Sequence, residues 1–119
     1  MGGTIKNIEI GQAVNLAAQV DWLPGQVTSK TLAQTPGAGL TLFAMPEGEG
    51  ISAHKSSGDA FVLVLEGEME ITIGDAINKA GKGECIVMPA GVPHAVKALK
   101  NAKMALVVVF PARQEPSII

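Results

Sequence analysis

Glycine and proline interrupt the chain so often that only short regular elements fit between them. The fourteen Gly and seven Pro are spread over 119 residues, and Val, Ile, Thr and Leu fill the stretches between them. Such stretches, bounded by turn residues, are typical of short strands. We predict eight or nine strands and no long crossover helices, so the fold is all-β, with antiparallel sheets that are closed or sandwiched. The predicted strands lie at about 26–33, 40–45, 48–54, 60–65, 68–73, 85–88, 94–99 and 103–110.

Two local features add to this pattern. Residues 13–20 contain good helix formers with apolar groups at both helical and strand spacings, which predicts one or two helical turns. Gly74 and Asp75 follow the alternating segment 68–73, and this dipeptide indicates a hairpin.

Composition and charge limit the domain organisation and the partners. Apolar residues make up 47 % of the chain and charged residues 17 %, so the chain can fill a core of its own. We predict one domain over residues 1–119, with a barrel core at about 26–111, a segment 1–25 that packs on the barrel or on a partner, and a frayed tail at 114–119. The net charge of -2 provides no field for nucleic acid or anionic membranes. No apolar run approaches the roughly 20 residues that span a bilayer.

Two strands, at 61–65 and 104–110, are apolar at every position. One face of such a strand fills the barrel, so the other needs cover from another sheet, from the N-terminal segment or from a partner subunit. We predict a homodimer on this ground. The N-terminus lacks the layout of a secretory signal, and the single cysteine, Cys85, can form no intramolecular disulfide, which favours the cytoplasm.

Two motifs carry the most specific signal. The first spans Gly48–Gly67 and places His54 after five intervening residues. The second spans Gly83–His94 and contains Pro89–Gly91, separated from the histidine by two residues. In order and spacing these motifs resemble those of the cupin superfamily, as a small single-domain member with a degenerate first motif. The resemblance covers residues 26–111.

The resemblance implies a jelly-roll barrel, the double-stranded β-helix, with both motifs on adjacent strands and their polar residues inside. In members that hold a metal, two His and a Glu of the first motif and the His of the second bind divalent Fe, Mn, Ni, Cu or Zn. Here His54 and His94 occupy two of these positions, whereas Ser56 and Ala60 stand at the other two, and Ala98 replaces a motif Asn. Two missing ligands lower metal affinity by something like 10²–10⁴. The sequence therefore predicts a depleted metal site.

Asp59 is the best substitute for the missing Glu, because it lies one residue from that position. A step of one residue reverses the face of a strand, so Asp59 points inward only if Ser57 and Gly58 form a bulge. Otherwise its carboxylate accepts backbone N–H groups of a turn. No cofactor is firmly implied, and the alternative is a divalent transition metal (Fe, Mn, Ni, Cu or Zn) held weakly by His54, Asp59 and His94.

The favoured function is the binding of a small molecule inside the barrel, oriented by the two imidazoles. The first alternative is a metal-dependent cupin enzyme, an oxygenase, isomerase or lyase, and the second is a structural dimer without a ligand. An epimerase with a Tyr acid is excluded, because the chain contains no Tyr. The predicted ligand-binding residues are His54, Ser56, Val62, Val64, Met88 and His94.

The sequence also predicts the environments of Cys85 and Trp22. Cys85 lies in an apolar strand with no base beside it in sequence, which predicts a buried, inert thiol. Trp22, the single indole, is predicted to cover a barrel mouth or an intersubunit seam, with core packing as the equal alternative.

Overall fold

The structure is a computed structural model, and it describes residues 3–112. Nine strands run through this part of the chain. They are β1 (Thr28–Gln34), β2 (Ala38–Met45), β3 (Gly50–His54), β4 (Asp59–Glu66), β5 (Glu68–Ile73), β6 (Ala76–Gly81), β7 (Cys85–Met88), β8 (His94–Ala98) and β9 (Ala102–Val109). The frayed tail predicted at 114–119 lies outside the described residues.

The strands form two antiparallel sheets that pack face to face. One sheet has five strands in the order β1-β2-β9-β4-β7, and the other has four in the order β3-β8-β5-β6. Inward side chains of both sheets share one buried cluster, which includes Val62 of β4, Ile71 of β5 and Met104 of β9. This arrangement confirms the prediction of an all-β antiparallel barrel of the jelly-roll type.

Alternation along β4 decides which side chains face the barrel interior. Ala60, Val62 and Val64 are at most 1 % exposed, whereas Phe61 between them is 38 % exposed. The strand keeps a regular register with β9 from Asp59 to Val64. Ala60 therefore points inward and Asp59 outward.

The N-terminal segment covers much of the outer face of the five-stranded sheet. The backbone N–H of Lys6 donates to the carbonyl oxygen of Leu32 at 2.7 Å, which ties the segment to β1. The segment therefore provides part of the cover that the second apolar face of the sheet requires. The contacting side chains are Ile8, Leu16, Val20 and Trp22 on the segment and Leu32, Leu42, Ala44 and Ala105 on the sheet.

Trp22 and Lys103 fasten this segment to β9. The indole N–H of Trp22 donates to the carbonyl oxygen of Ala102 at 2.9 Å. The Nζ of Lys103, a residue only 7 % exposed, donates to the carbonyl oxygen of Ala17 at 2.7 Å and lies 4.5 Å from the centroid of the indole ring. Of the roles predicted for Trp22, the structure shows core packing: the half-buried indole packs against the buried cluster of the five-stranded sheet.

Both local features predicted from the sequence are present. The predicted helical turn is a short 3₁₀ helix, Ala17–Gln19, where the Oδ1 of Asn15 accepts the N–H of Ala18 at 3.1 Å. The predicted hairpin joins β5 to β6 through Gly74, whose φ is 58°. Within residues 3–112 no helix has the length and apolar character needed to cross a membrane.

Candidate ligand-binding site

A cavity of about 510 Å³ opens between the inner faces of the two sheets. Its walls come from both sheets and from the loop that joins β3 to β4. The described residues that line it are Phe43, Ile51, His54, Lys55, Ser56, Ser57, Ala60, Met88, His94, Val96, Met104, Leu106 and Val108.

Polar and apolar groups are separated within this cavity. The polar lining residues are residues 54–57 together with His94, and most of that stretch is exposed. Four lining residues are at most 3 % exposed: the apolar Ala60, Met88 and Met104, and His94. The cavity thus has a polar mouth, formed by residues 54–57 with His94 buried just behind them, and apolar walls beyond.

Strand pairing holds the two histidines next to each other. His54 ends β3, His94 begins β8, and the two residues are cross-strand partners. Their ring centroids lie 4.5 Å apart at an interplanar angle of 71°, which is an edge-to-face contact. The loop after β3 is fastened beside them, because the N–H of Gly91 donates to the carbonyl oxygen of Ser56 at 2.9 Å.

Each imidazole directs its Nδ1 to a backbone carbonyl oxygen two residues earlier in the chain. The Nδ1 of His54 lies 3.0 Å from the carbonyl oxygen of Ser52, and the Nδ1 of His94 lies 3.3 Å from that of Val92. A carbonyl oxygen only accepts hydrogen bonds, so Nδ1 carries the proton in both rings. Nε2 is then the ring atom that can form a hydrogen bond with a molecule in the cavity. In a neutral ring Nε2 is an acceptor.

Burial lowers the pKa of His94 below its ordinary value of about 6.5. Desolvation is the largest cause and repulsion from His54 the second, while the hydrogen bond to the Val92 carbonyl acts in the opposite direction. His94 is therefore mainly neutral near pH 7, and its Nε2 accepts hydrogen bonds there.

The donor set at the mouth does not fit a tightly held metal ion. Ser56 and Ala60 line the cavity at the two positions where the resemblance places a second His and a Glu. Within residues 3–112 no group of three or more His, Cys, Asp or Glu side chains could hold an ion. Divalent transition metals in proteins use three or four protein ligands, and the described part of the chain supplies two at this place, His54 and His94.

Asp59 does not complete the pair of imidazoles. The bulge that would turn it inward does not form, because β4 pairs regularly with β9 from its first residue. The Oδ1 of Asp59 instead accepts the backbone N–H of Ala90 at 2.9 Å. The three-ligand site of His54, Asp59 and His94 is thus absent from the described residues, and Asp59 has the backbone-accepting role named as its alternative.

The structure divides the predicted ligand-binding residues into two groups. Those that line the cavity are His54, Ser56, Met88 and His94. Val62 and Val64 do not line it; both are 0 % exposed and share a buried cluster with Met69. They lie further along β4 than Ala60, where the barrel is filled by side chains.

Several residues that line the cavity are not among the predicted ligand-binding residues. Lys55 and Ser57 follow His54 directly, and their position in the polar loop is the signal that could have found them. Leu106 and Val108 come from β9, and their alternation with outward residues is visible only once the partners of β9 are known.

Cys85 is exposed, so the prediction of a buried thiol is wrong. It lies on β7, which is an edge strand of the five-stranded sheet. Burial alternates along β7: Val87 is 51 % exposed and Met88 3 %. Cys85 shares the outward face with Val87, a placement that apolar neighbours in sequence do not reveal.

Comparison with known proteins identifies the family. A family model described as a cupin domain matches residues 41–110. A conserved protein of unknown function from Streptococcus pyogenes is 40 % identical, with a TM-score of 0.91 over 94 % of this chain and 98 % of that one. A cupin superfamily protein from Desulfitobacterium hafniense is 28 % identical, with a TM-score of 0.87 over 92 % of this chain and 100 % of that one. A search of curated proteins gives no match. The chain therefore belongs to the cupin domain family.

Proposed function

We propose that the protein binds a small organic molecule in the barrel cavity, with no tightly held metal ion. The observation that carries this proposal is the cavity of about 510 Å³, with its apolar interior and polar mouth. Ligand pockets typically have volumes of roughly 300–1,000 Å³, apolar walls and a few polar groups that fix the orientation of the ligand.

His54 and His94 are the orienting groups in this proposal. Each Nδ1 is engaged by a backbone carbonyl, which fixes the tautomer and restrains the ring. In a neutral ring of this tautomer, Nε2 accepts a hydrogen bond from a ligand hydroxyl or N–H group. The metal-dependent enzyme is the weaker candidate, because its third protein ligand, Asp59, is bonded to Ala90 instead.

The proposed assembly is a homodimer in the cytoplasm. Phe61 and Val87 are cross-strand partners on the outward face of β4 and β7, and Val109 of β9 lies on the same face. These three residues, the outer patch, are 38 %, 51 % and 55 % exposed. A second copy presents the same apolar patch, which suits a two-fold interface. The cytoplasm is proposed because a chain with one cysteine has no internal disulfide to preserve.

Ligand-observed NMR tests the binding proposal. The protein is screened against mixtures of small organic acids, amides, alcohols and amines. A Ser57→Trp variant places an indole at the mouth, at an exposed position, and is expected to abolish binding of the hits. The matched control is Ser29→Trp, at an exposed position of β1 that does not line the cavity.

Two results would contradict the proposal. One is a screen in which no compound of any of the four classes binds, which would favour a structural dimer. The other is a set of hits whose binding is unchanged by Ser57→Trp, since these compounds would then bind outside the cavity.

A further inference from the structure

We infer that the ligand is a small carboxylic acid that carries a hydroxyl group beside its carboxylate and a short apolar tail. This inference rests on the proposed binding function and specifies the chemistry of its ligand. It follows from three properties of the cavity: the charge at the mouth, the balance of hydrogen-bond donors and acceptors there, and the apolar character of the walls that the described residues form beyond the mouth.

The charge at the mouth is positive. Lys55 is the one residue with a permanent charge among the described residues that line the cavity, and no Asp or Glu lines it within that part of the chain. Asp59, the nearest acidic residue in sequence, is bonded to the backbone of Ala90. An ammonium group on a flexible stem, with no carboxylate along the same wall, favours an anionic ligand over a cationic one.

The mouth presents hydrogen-bond donors as well as acceptors. The Oγ of Ser56 accepts the N–H of Gly58 at 3.1 Å, so its hydroxyl hydrogen is left to donate. Ser57 and Lys55 provide further donors, and a carboxylate accepts from all three. The Nδ1 of His94 faces the carbonyl oxygen of Val92, so Nε2 is the acceptor of the ring and does not pair with a carboxylate oxygen. A hydroxyl group on the ligand, next to the carboxylate, supplies the donor that it requires.

The interior determines the rest of the ligand. Below the mouth the lining is formed by Phe43 and by aliphatic and thioether side chains such as Leu106 and Met104. A polar group buried there would lose its hydrogen bonds to water without replacement. The part of the ligand that enters the barrel is therefore apolar, and a branched alkyl group matches the aliphatic walls.

Isothermal titration calorimetry with three matched probes tests this inference. The probes are α-hydroxyisocaproate, isocaproate, which lacks the hydroxyl, and α-hydroxyisocaproamide, which lacks the negative charge. We expect α-hydroxyisocaproate to bind most tightly. Each of the other two should bind about tenfold more weakly, the usual effect of losing one hydrogen bond to a charged or buried partner.

Lys55→Met separates the role of the charge from that of the cavity. We expect this variant to bind α-hydroxyisocaproate about tenfold more weakly and α-hydroxyisocaproamide with a smaller loss, because the neutral amide oxygen accepts from Lys55 without an ion pair. The control is Lys100→Met, at an exposed position that does not line the cavity. It should leave the affinity of all three probes unchanged.

The outcomes distinguish this inference from the proposed function. Equal affinities for the three probes, or an unchanged affinity in Lys55→Met, would overturn the inference while leaving cavity binding intact. The same holds if none of the probes binds but the NMR screen yields hits that Ser57→Trp blocks. If no compound binds and the screen yields no hits, both the inference and the proposed function are wrong.

Discussion

His54 and His94 are cross-strand partners whose rings meet edge to face with centroids 4.5 Å apart, although only His94 is buried. The contact places one imidazole behind the other at the mouth of the barrel. Because the rings are so close, protonation of one imidazole disfavours protonation of the other. Because His94 is the buried member, desolvation acts on it as well. The pair therefore couples the protonation of the site to the stability of the fold.

We expect the free energy of unfolding to fall as the pH is lowered below about 6.5. The pKa of His94 is lowered in the folded protein, so between that pKa and about 6.5 the unfolded chain binds a proton more readily than the folded protein. The stabilising contribution of His94 to the free energy of unfolding is thus fully present above this pH interval, and it is lost as the pH falls through the interval. Urea unfolding at a series of pH values measures the dependence.

The variant His94→Gln identifies the group responsible. Glutamine does not titrate, so the dependence of unfolding free energy on pH should be weaker in His94→Gln than in the parent. The carboxylates, which titrate at lower pH, are common to both proteins. Identical pH dependence in the two proteins would show that another group causes it.

Gly67 occupies a position that no other residue fits. Its φ is 78°, and a Cβ there would overlap the backbone carbonyl oxygen of Asn101. Gly83 has a similar φ of 86° but nothing within 4 Å of its Cβ position. We expect Gly83→Ala to cost about 1–2 kcal/mol from backbone strain, and Gly67→Ala about 2–5 kcal/mol because overlap adds to the same strain. Equal losses in urea unfolding would contradict this explanation.

The sequence predicted the sheet-rich fold and the region of the site, because turn residues and motif spacing are local properties. It could not decide the outcome at Asp59, where the direction of the side chain depends on whether β4 begins with a bulge or with regular pairing to β9. The exposure of Cys85 could not be predicted from the sequence either. Its exposure follows from the edge position of β7, which is set by long-range strand order rather than by its neighbours.

We expect the protein to retain far less than one metal ion per chain. Protein produced in medium supplemented with Fe, Mn, Ni, Cu and Zn is passed through gel filtration and analysed by mass spectrometry for metals. His94→Ala should leave the small residual metal content unchanged, because two imidazoles alone hold an ion weakly. A stoichiometric ion that disappears in His94→Ala would contradict the depleted site.

The double variant Ser56→His, Ala60→Glu is expected to restore metal binding. Both positions line the cavity beside His54 and His94, so the new side chains would complete a set of four ligands. Affinity should rise by about 10²–10⁴. The control Ser56→Asn, Ala60→Gln adds similar volume without an imidazole or a carboxylate and should bind no more metal than the parent.

Lys103 should stabilise the docked N-terminal segment through Trp22 and Ala17. Lys103→Met removes the hydrogen bond to the Ala17 carbonyl and the contact with the indole ring. We expect a loss of about 1–3 kcal/mol in the free energy of unfolding, with a change in the fluorescence of the single tryptophan. Lys100→Met, at an exposed position, should change stability by less than about 0.5 kcal/mol. Equal effects of the two substitutions would mean that Lys103 does not hold the segment.

The outer patch of Phe61, Val87 and Val109 is expected to hold two copies together. Phe61→Glu places a charge at the centre of this apolar surface, so sedimentation velocity should show a dimer for the parent and a monomer for the variant. Ile77→Glu is the control, because Ile77 is 66 % exposed but lies on β6 of the other sheet.

Cys85, which shares the outward face with Val87, gives an independent measurement of the same interface. Its alkylation should be slower in the parent and in Ile77→Glu than in Phe61→Glu. A monomeric parent, or a dimer that survives Phe61→Glu, would place the interface elsewhere or remove it.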